Sequence, residues 1–537
     1  MNTKRYYKKK TIPASEPLSI LTKDYKESVR SQSYLGKKGY TIPKSVLSKE
    51  DDELIRKELF VKPEVFGANF GGEVNKAFPV FRENTNKLYV PRYYGISRYG
   101  LPDKSEIQEG DTIEVTFTKQ LRDYQEEIID TYMTYVTNKN NGGGAILEVF
   151  CGAGKTVCAI KIISVIKKKT LILVHKEFLM NQWIERINEF LPESRIGKIQ
   201  AQTVDIENKD IVIGMIQTLY DREFPAGTFD SFGLTIIDEV HRIGSEQFSK
   251  TLLKTITPYM LGISATVDRK DKLTKILYMF IGEKIYSKKR EEEDLVCVRA
   301  IQYLTNNSEF NETELDFRGN PKYSSMIVKL CEYGPRSDFI IRVIKDLIEE
   351  EPEKQIMILC HNRSLLNYLY QGIQYRKIAS VGFYVGGMKQ TNLQETETKN
   401  IVLATYAMAA EALDIKTLST LVMVTPKTDI TQSVGRILRA KHEKPIIVDI
   451  IDAHEMFQNQ WNQRRRFYKK ANYRIRQIDS VQYTTMTLDW ENDSKWKRIY
   501  EPKINTTIVD NNDDDNDNDN NINQPIIGRC LIKMDEF

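Results

Sequence analysis

No two of the six cysteines in this 537-residue chain form a Cys-x-x-Cys pair. Cys151, Cys158, Cys297, Cys331, Cys360 and Cys530 are scattered, which argues against zinc sites, iron–sulfur clusters and a disulfide framework. Long apolar runs are missing too. None approaches the ~18 residues of a membrane span, and no apolar stretch follows the polar, basic N-terminus as a secretion signal requires. A reducing interior, cytosol or nucleus, is the expected home. Acids are absent from the first ten residues, where Lys4, Arg5, Lys8, Lys9 and Lys10 surround Tyr6 and Tyr7. Bases are absent from residues 510–520, which hold six aspartates, so the rest of the chain is more basic than its net +4. A basic body suits a polyanionic partner.

Hydrophobic residues make up 41% of the chain and charged residues 28%, an ordinary globular balance. The order of elements is more telling. Residues 1–30 read as a basic flexible arm and residues 31–115 as a small α+β accessory domain. Within it, Ser48 is the expected N-cap of a helix to about Leu59, with Asp51 placing charge in the first turn. Phe78–Phe81 and Leu88–Val90 read as strands around a polar turn. From residue 116 the sequence alternates strand with helix, the mark of parallel α/β architecture. Ala145–Phe150, Thr170–His175, Asp210–Met215 and Leu234–Ile237 are expected strands of one such domain (116–287). Gln355–Cys360, Ile401–Ala404, Leu421–Thr425 and Pro445–Ile450 belong to a second (288–475). After residue 455 comes a charged helix carrying Arg464, Arg465, Arg466, Lys469 and Lys470 among Trp461, Phe467 and Tyr468. Residues 476–537 form an extension ending in Asp/Asn-rich low complexity, expected to be disordered.

Chemistry concentrates at three places. Cys151-Gly152-Ala153-Gly154-Lys155-Thr156 follows an apolar strand and opens a helix to about Lys167, the setting of a phosphate loop. Glycines let backbone N–H groups approach phosphates, and the helix N-terminus adds partial positive charge. Lys155 is placed for the β and γ phosphates of a nucleotide and Thr156 for Mg²⁺. Val149 stands where the strict eight-residue pattern has its first glycine. Asp238-Glu239-Val240-His241 ends a second apolar strand, giving Asp238 to Mg²⁺ and Glu239 to the attacking water. Ser264-Ala265-Thr266 ends a third, with hydroxyls able to bond those acids. Far downstream, Gln432-Ser433-Val434-Gly435-Arg436-Ile437-Leu438-Arg439 sets two guanidinium groups three residues apart, suited to phosphate oxygens in a transition state.

In this order the segments resemble superfamily 2 helicases and translocases over roughly residues 118–455. Leu121-Arg122-Asp123-Tyr124-Gln125 looks like the adenine-reading segment, residues 151–156 motif I, and Leu173–Trp183 and Gly214–Thr218 motifs Ia and Ib. Asp238–His241 is similar to the DExH form of motif II and Ser264–Thr266 to motif III. Ile358–Arg363, Thr405–Ile415 and Gln432–Arg439 look like motifs IV, V and VI. Finer features resemble the XPB-like branch, closest to the transcript-release DNA helicases of poxviruses and other large cytoplasmic DNA viruses. Gly39-Tyr40-Thr41-Ile42-Pro43-Lys44 and Tyr384-Val385-Gly386-Gly387-Met388-Lys389 carry that likeness.

The resemblance implies two tandem RecA-like domains that bind ATP and Mg²⁺ between them. It gives Arg122 and Gln125 to the base, and Lys155, Thr156, Asp238 and Glu239 to hydrolysis. Arg436 and Arg439 become arginine fingers with Gln432 beside them. Lys176, Gln217, Thr218, Arg363 and Thr405 become contacts to the tracked strand, and Ser264, Thr266 and Asp414 couple the two events. The implied activity is a nucleic-acid-dependent ATPase, with duplex DNA favoured as track and RNA polymerase or transcription factors as partners. Its setting is viral transcription or DNA repair, in host cytoplasm or virion. An RNA helicase and a catalytically silent transcription scaffold are the alternatives. One departure is Ala412 within Glu411-Ala412-Leu413-Asp414, where relatives usually have glycine. If that position needs positive φ, alanine costs about 1 kcal/mol.

Overall fold

The computed structural model describes residues 21–62, 77–138, 142–150, 152–240, 246–265, 267, 273–288, 296–411, 415, 417–437, 442, 444–483 and 493–502. Cys151, His241, Thr266, Ala412, Asp414 and Arg439 lie outside the described residues, as does the side chain of Gln432.

The N-terminal part is a five-stranded sheet in the order Arg82–Glu83, Lys87–Val90, Gly39–Pro43, Tyr34–Gly36, Lys104–Ser105. Helices Lys23–Gln32 and Arg92–Tyr99 pack on it. The first of these begins inside the stretch expected to be a flexible arm. Thr22 caps it by accepting from the Tyr25 N–H. Helix Lys49–Glu58 starts as expected, with the Ser48 hydroxyl accepting from the Asp51 N–H at 3.1 Å. Asp51 sits in the first turn as expected, and its side chain is buried. Its buried carboxylate accepts from the Tyr25 hydroxyl at 3.0 Å, from Tyr99 and from the Arg98 guanidinium, bonds that offset its desolvation. The expected polar turn is shorter than residues 82–87. Arg82 and Glu83 pair with Tyr89 and Leu88, because Asn84 Oδ1 accepts from both the Asn86 and Lys87 N–H groups and closes a three-residue loop.

Two eight-stranded sheets follow, each a RecA-like α/β unit. The first runs Thr203–Val204, Ile196–Gln200, Ile211–Met215, Thr170–Val174, Leu234–Asp238, Tyr259–Ser264, Gly144–Val149, Lys284–Lys288. Only Thr203–Val204 is antiparallel to its neighbour. The central strands are buried along their whole length, as parallel strands covered on both faces must be. The second sheet runs Val381–Tyr384, Ile401–Thr405, Gln355–Cys360, Leu418–Met423, Ile446–Asp452, Cys297–Tyr303, Arg474–Asp479, Lys497–Tyr500, parallel except for its last pair. Helix Glu455–Lys470 forms as expected, and its Trp461, Arg464 and Tyr468 are buried.

The N-terminal part is not an appendage on a string. Its apolar residues join those of the first sheet in one core, from Val29 and Tyr40 to Ile146 and Phe280. Arg92 donates to the carbonyls of Thr257 (2.9 Å) and Pro258 (3.0 Å) across the junction.

Candidate nucleotide and nucleic-acid sites

Strand register builds the first site. Ser264 lies opposite Glu148, and Asp238 lies opposite Ile263, so three neighbouring parallel strands end at one sheet edge. The phosphate loop leaves the strand ending at Val149, Glu239 follows the strand ending at Asp238, and Ser264 closes the third. Ligands of open α/β sheets bind outside such carboxyl ends.

Gly152 (φ 90°) and Gly154 (φ 81°) take the left-handed conformations that side chains disfavour. Helix Lys155–Ile166 starts directly after them. At Gly154 an added Cβ would also collide with Gln125 Nε2. Gln125 is buried and holds this loop: its Nε2 donates to the Ala153 carbonyl at 3.0 Å, and its Oε1 accepts from the Arg122 N–H at 3.0 Å. The Tyr124 hydroxyl donates to the same Ala153 carbonyl at 3.3 Å and accepts from Arg122 at 2.8 Å.

Across the site Lys155 Nζ lies 3.7 Å from Glu239 Oε1, and the Ser264 hydroxyl 3.5 Å from Glu239 Oε2. Asp238 is 7% exposed, and its carboxylate accepts from the Trp183 indole N–H at 2.9 Å. Burial raises the Asp238 carboxyl to about 6, and the charge of Glu239 adds to this. The Trp183 bond and Lys155 oppose the rise. Glu239 has φ 51°, a left-handed backbone at a non-glycine residue. Such strain persists only where the surroundings over-determine it, and it concentrates at functional sites.

The strands Thr170–Val174 and Ile211–Met215 are neighbours, so Lys176, Gln217 and Thr218 gather beyond their shared end. Gln217 donates to the His175 carbonyl at 2.9 Å, and the Thr218 hydroxyl accepts from the Ala201 N–H at 3.0 Å. Phe178, two residues past Lys176, packs against core residues of both α/β units.

In the second unit Thr405 ends its strand opposite Cys360. Beside it His361 Nδ1 lies 2.9 Å from the Thr425 hydroxyl, and burial holds the imidazole down at about 4. Arg363 donates to the Gly386 carbonyl. Arg436 is buried on helix Thr431–Ile437, as are Val434 and Ile437.

Comparison with known proteins agrees with this layout. Residues 118–269 match the Type III restriction enzyme res-subunit family, and residues 340–441 the helicase conserved C-terminal domain. A protein of Acanthamoeba polyphaga mimivirus, provisionally named an ATP-dependent RNA helicase, is 34% identical over 448 residues, covering 81% of this chain and 85% of its own. The chain belongs to the superfamily 2 helicases of large DNA viruses. A second relative of this helicase comes from African swine fever virus and carries the same provisional name, at 28% identity over 66% of this chain and 73% of its own. A third is the DNA 3'-5' translocase XPB2 of Sulfurisphaera tokodaii, 33% identical over 37% of this chain and 44% of its own. The helicase is thus an ATP-dependent, nucleic-acid-binding member of its family.

Two groups of residues escaped the sequence reading. Trp183 carries no motif signal that marks it as the partner of Asp238. The guanidinium of Arg464, 1% exposed, donates to both Asp449 oxygens (2.7 and 2.9 Å) and to the Lys427 carbonyl at 2.9 Å. Arg336 does likewise for Asp452 (2.6 and 2.8 Å) and the Val424 carbonyl at 2.8 Å. The two clamps fix residues 424–427, which lead from strand Leu418–Met423 toward the helix of Arg436.

Proposed function

We propose that this helicase is an ATP-driven motor of the DExH type that tracks along nucleic acid, with duplex DNA as its preferred track. The observation that carries this reading is the convergence of Lys155, Asp238, Glu239 and Ser264 at one sheet edge. Lys155 and the N–H groups of Gly152, Ala153 and Gly154 hold the phosphates, with Cys151 entering the loop. Thr156 and Asp238 offer two hard oxygen donors, the chemistry Mg²⁺ prefers, and the ion would neutralise charge on the β and γ phosphates. Glu239 orients and deprotonates water. Arg122 and Gln125 serve the base. Arg436 and Arg439, with Gln432, reach the γ phosphate from the second unit, while Ser264, Thr266 and Asp414 pass its state to the strand contacts Lys176, Gln217, Thr218, Arg363 and Thr405.

Contact through phosphates makes binding salt-sensitive and tolerant of sequence. The XPB2 relative, a DNA translocase by name, supports DNA as the track, and a motor on duplex DNA would push RNA polymerase or strip a transcript in viral transcription. The mimivirus and African swine fever virus relatives favour the second reading, an RNA helicase. ATP turnover measured with duplex DNA, single-stranded DNA and RNA decides between them. Duplex DNA is expected to stimulate most, and strongest stimulation by RNA reverses the assignment. Glu239→Gln is expected to lower stimulated turnover by about a hundredfold or more. Unchanged turnover would point instead to a silent scaffold. The transcription role fails if a stalled elongation complex releases no more RNA with helicase and ATP than without.

A further inference from the structure

The N-terminal sheet has a second face that the motor does not use. Its inner face buries Leu35, Tyr40, Ile42, Leu88 and Val90. Side chains alternate across a sheet, so the residues between them point the other way. Register then sets Arg82, Tyr89, Thr41, Tyr34 and Lys104 in one row across all five strands. Within the strands every charged side chain on that outer face is a cation: Arg82, Lys87 and Lys104. Both tyrosines are half-buried, leaving part of each ring open.

Arg82 donates to the Lys250 carbonyl of the first α/β unit at 3.4 Å, whereas three lysines sit on the rings. Lys38 Nζ is 5.1 Å from the Tyr89 ring centre, and Lys87 and Lys104 are each 5.1 Å from that of Tyr34. Lys87 also donates to the Tyr34 hydroxyl at 3.0 Å, Asn84 donates to that of Tyr89 at 3.1 Å, and Lys104 pairs with Glu106 at 2.7 Å. Two strand spacings, about 10 Å, separate the rings, room for each to take its own base.

We propose that this face is a binding platform for single-stranded nucleic acid, separate from the motor's strand contacts. Bases stack on Tyr34 and Tyr89, and the lysines move from ring to phosphate. The exchange is favourable in magnitude. Stacking a base on an aromatic ring outweighs an exposed cation–π contact and frees the cation for a phosphate. A duplex keeps its base faces covered and cannot make the same contact. Because this sheet shares its core with the first α/β unit, the platform is fixed to the half of the motor that carries the phosphate loop.

The test uses the full chain without ATP and three fluorescently labelled probes: single-stranded DNA, single-stranded RNA and a DNA duplex. Tyr34→Ala/Tyr89→Ala is expected to weaken binding of both single strands about tenfold or more while duplex affinity stays level. Tyr34→Phe/Tyr89→Phe, which keeps the rings, is expected to bind like the wild type. Turnover of ATP without nucleic acid should be unchanged in both, which separates this site from the motor. Lys38→Glu/Lys104→Glu alters only exposed side chains, so it tests the same face if the alanine variant folds poorly. It should weaken single-strand binding and flatten its salt dependence. Unchanged single-strand affinity in the alanine and glutamate variants overturns the proposal. So does an equal loss on the duplex, which would assign the face to backbone charge alone.

Discussion

Asp238 carries opposite demands on one carboxyl group. Buried beside Glu239, it holds its proton to about pH 6, against 3.8 for a free aspartate. The unfolded chain therefore ionises first. Stability from this group is fully present below about pH 4 and is lost as pH rises through 6, a cost on the order of 3 kcal/mol at neutral pH. Asp238→Asn should thus raise the urea midpoint at pH 7 in metal-free buffer, leave it unmoved below pH 4, and abolish ATP turnover. A variant less stable than wild type at pH 7 would contradict this account. At the same residue scale, the meeting of Lys155, Asp238 and Glu239 at one sheet edge was readable because each ends or follows an apolar strand. Trp183 was not, since its bond to Asp238 spans 55 positions and leaves no local pattern. Asp51 sits in the first helical turn as expected, but its ties to Arg98, Tyr99 and Tyr25 were not legible, because they come from distant parts of the chain.

Among elements, the eight α/β strands expected from the sequence lie within a few residues of the observed ones, because a strand covered on two faces reads as one continuous run. Cys297–Tyr303 and Arg474–Asp479 were missed. Each contains a buried arginine that reads as exposed, Arg299 paired with Glu350 and Arg476 paired with Glu501. Helix Glu455–Lys470 shows the same effect, since nothing local distinguishes buried Arg464 from half-buried Arg465 or exposed Arg466. Asp449 on the sheet beneath, together with the Lys427 carbonyl, makes it an inward residue. Replacing Arg464 with Met should strand a buried carboxylate and cost about 3–5 kcal/mol in denaturant unfolding, with Asp449→Leu in the same chain recovering most of it. If the double variant is no better than the single one, the clamp acts through more than charge pairing.

On the scale of the whole molecule, the tandem α/β plan followed from strand–helix alternation, but the fusion of the accessory sheet with the first unit did not. That shared core is built from contacts more than a hundred residues apart, which no local periodicity records. The strand order of the second unit has a practical result. Ile446–Asp452, Cys297–Tyr303, Arg474–Asp479 and Lys497–Tyr500 complete one side of its sheet, yet all four fall outside residues 340–441, the span shared with helicase C-terminal domains. Trimming the gene to that span would bare Leu418–Met423, a strand buried along its whole length, as an edge open to pairing with other chains. Expressed alone, 340–441 should elute as soluble aggregate or precipitate, while 296–502 should run as a monodisperse species in size-exclusion chromatography with light scattering. Whoever separates the two halves for crystallisation or drug screening must therefore cut well outside the recognisable motifs.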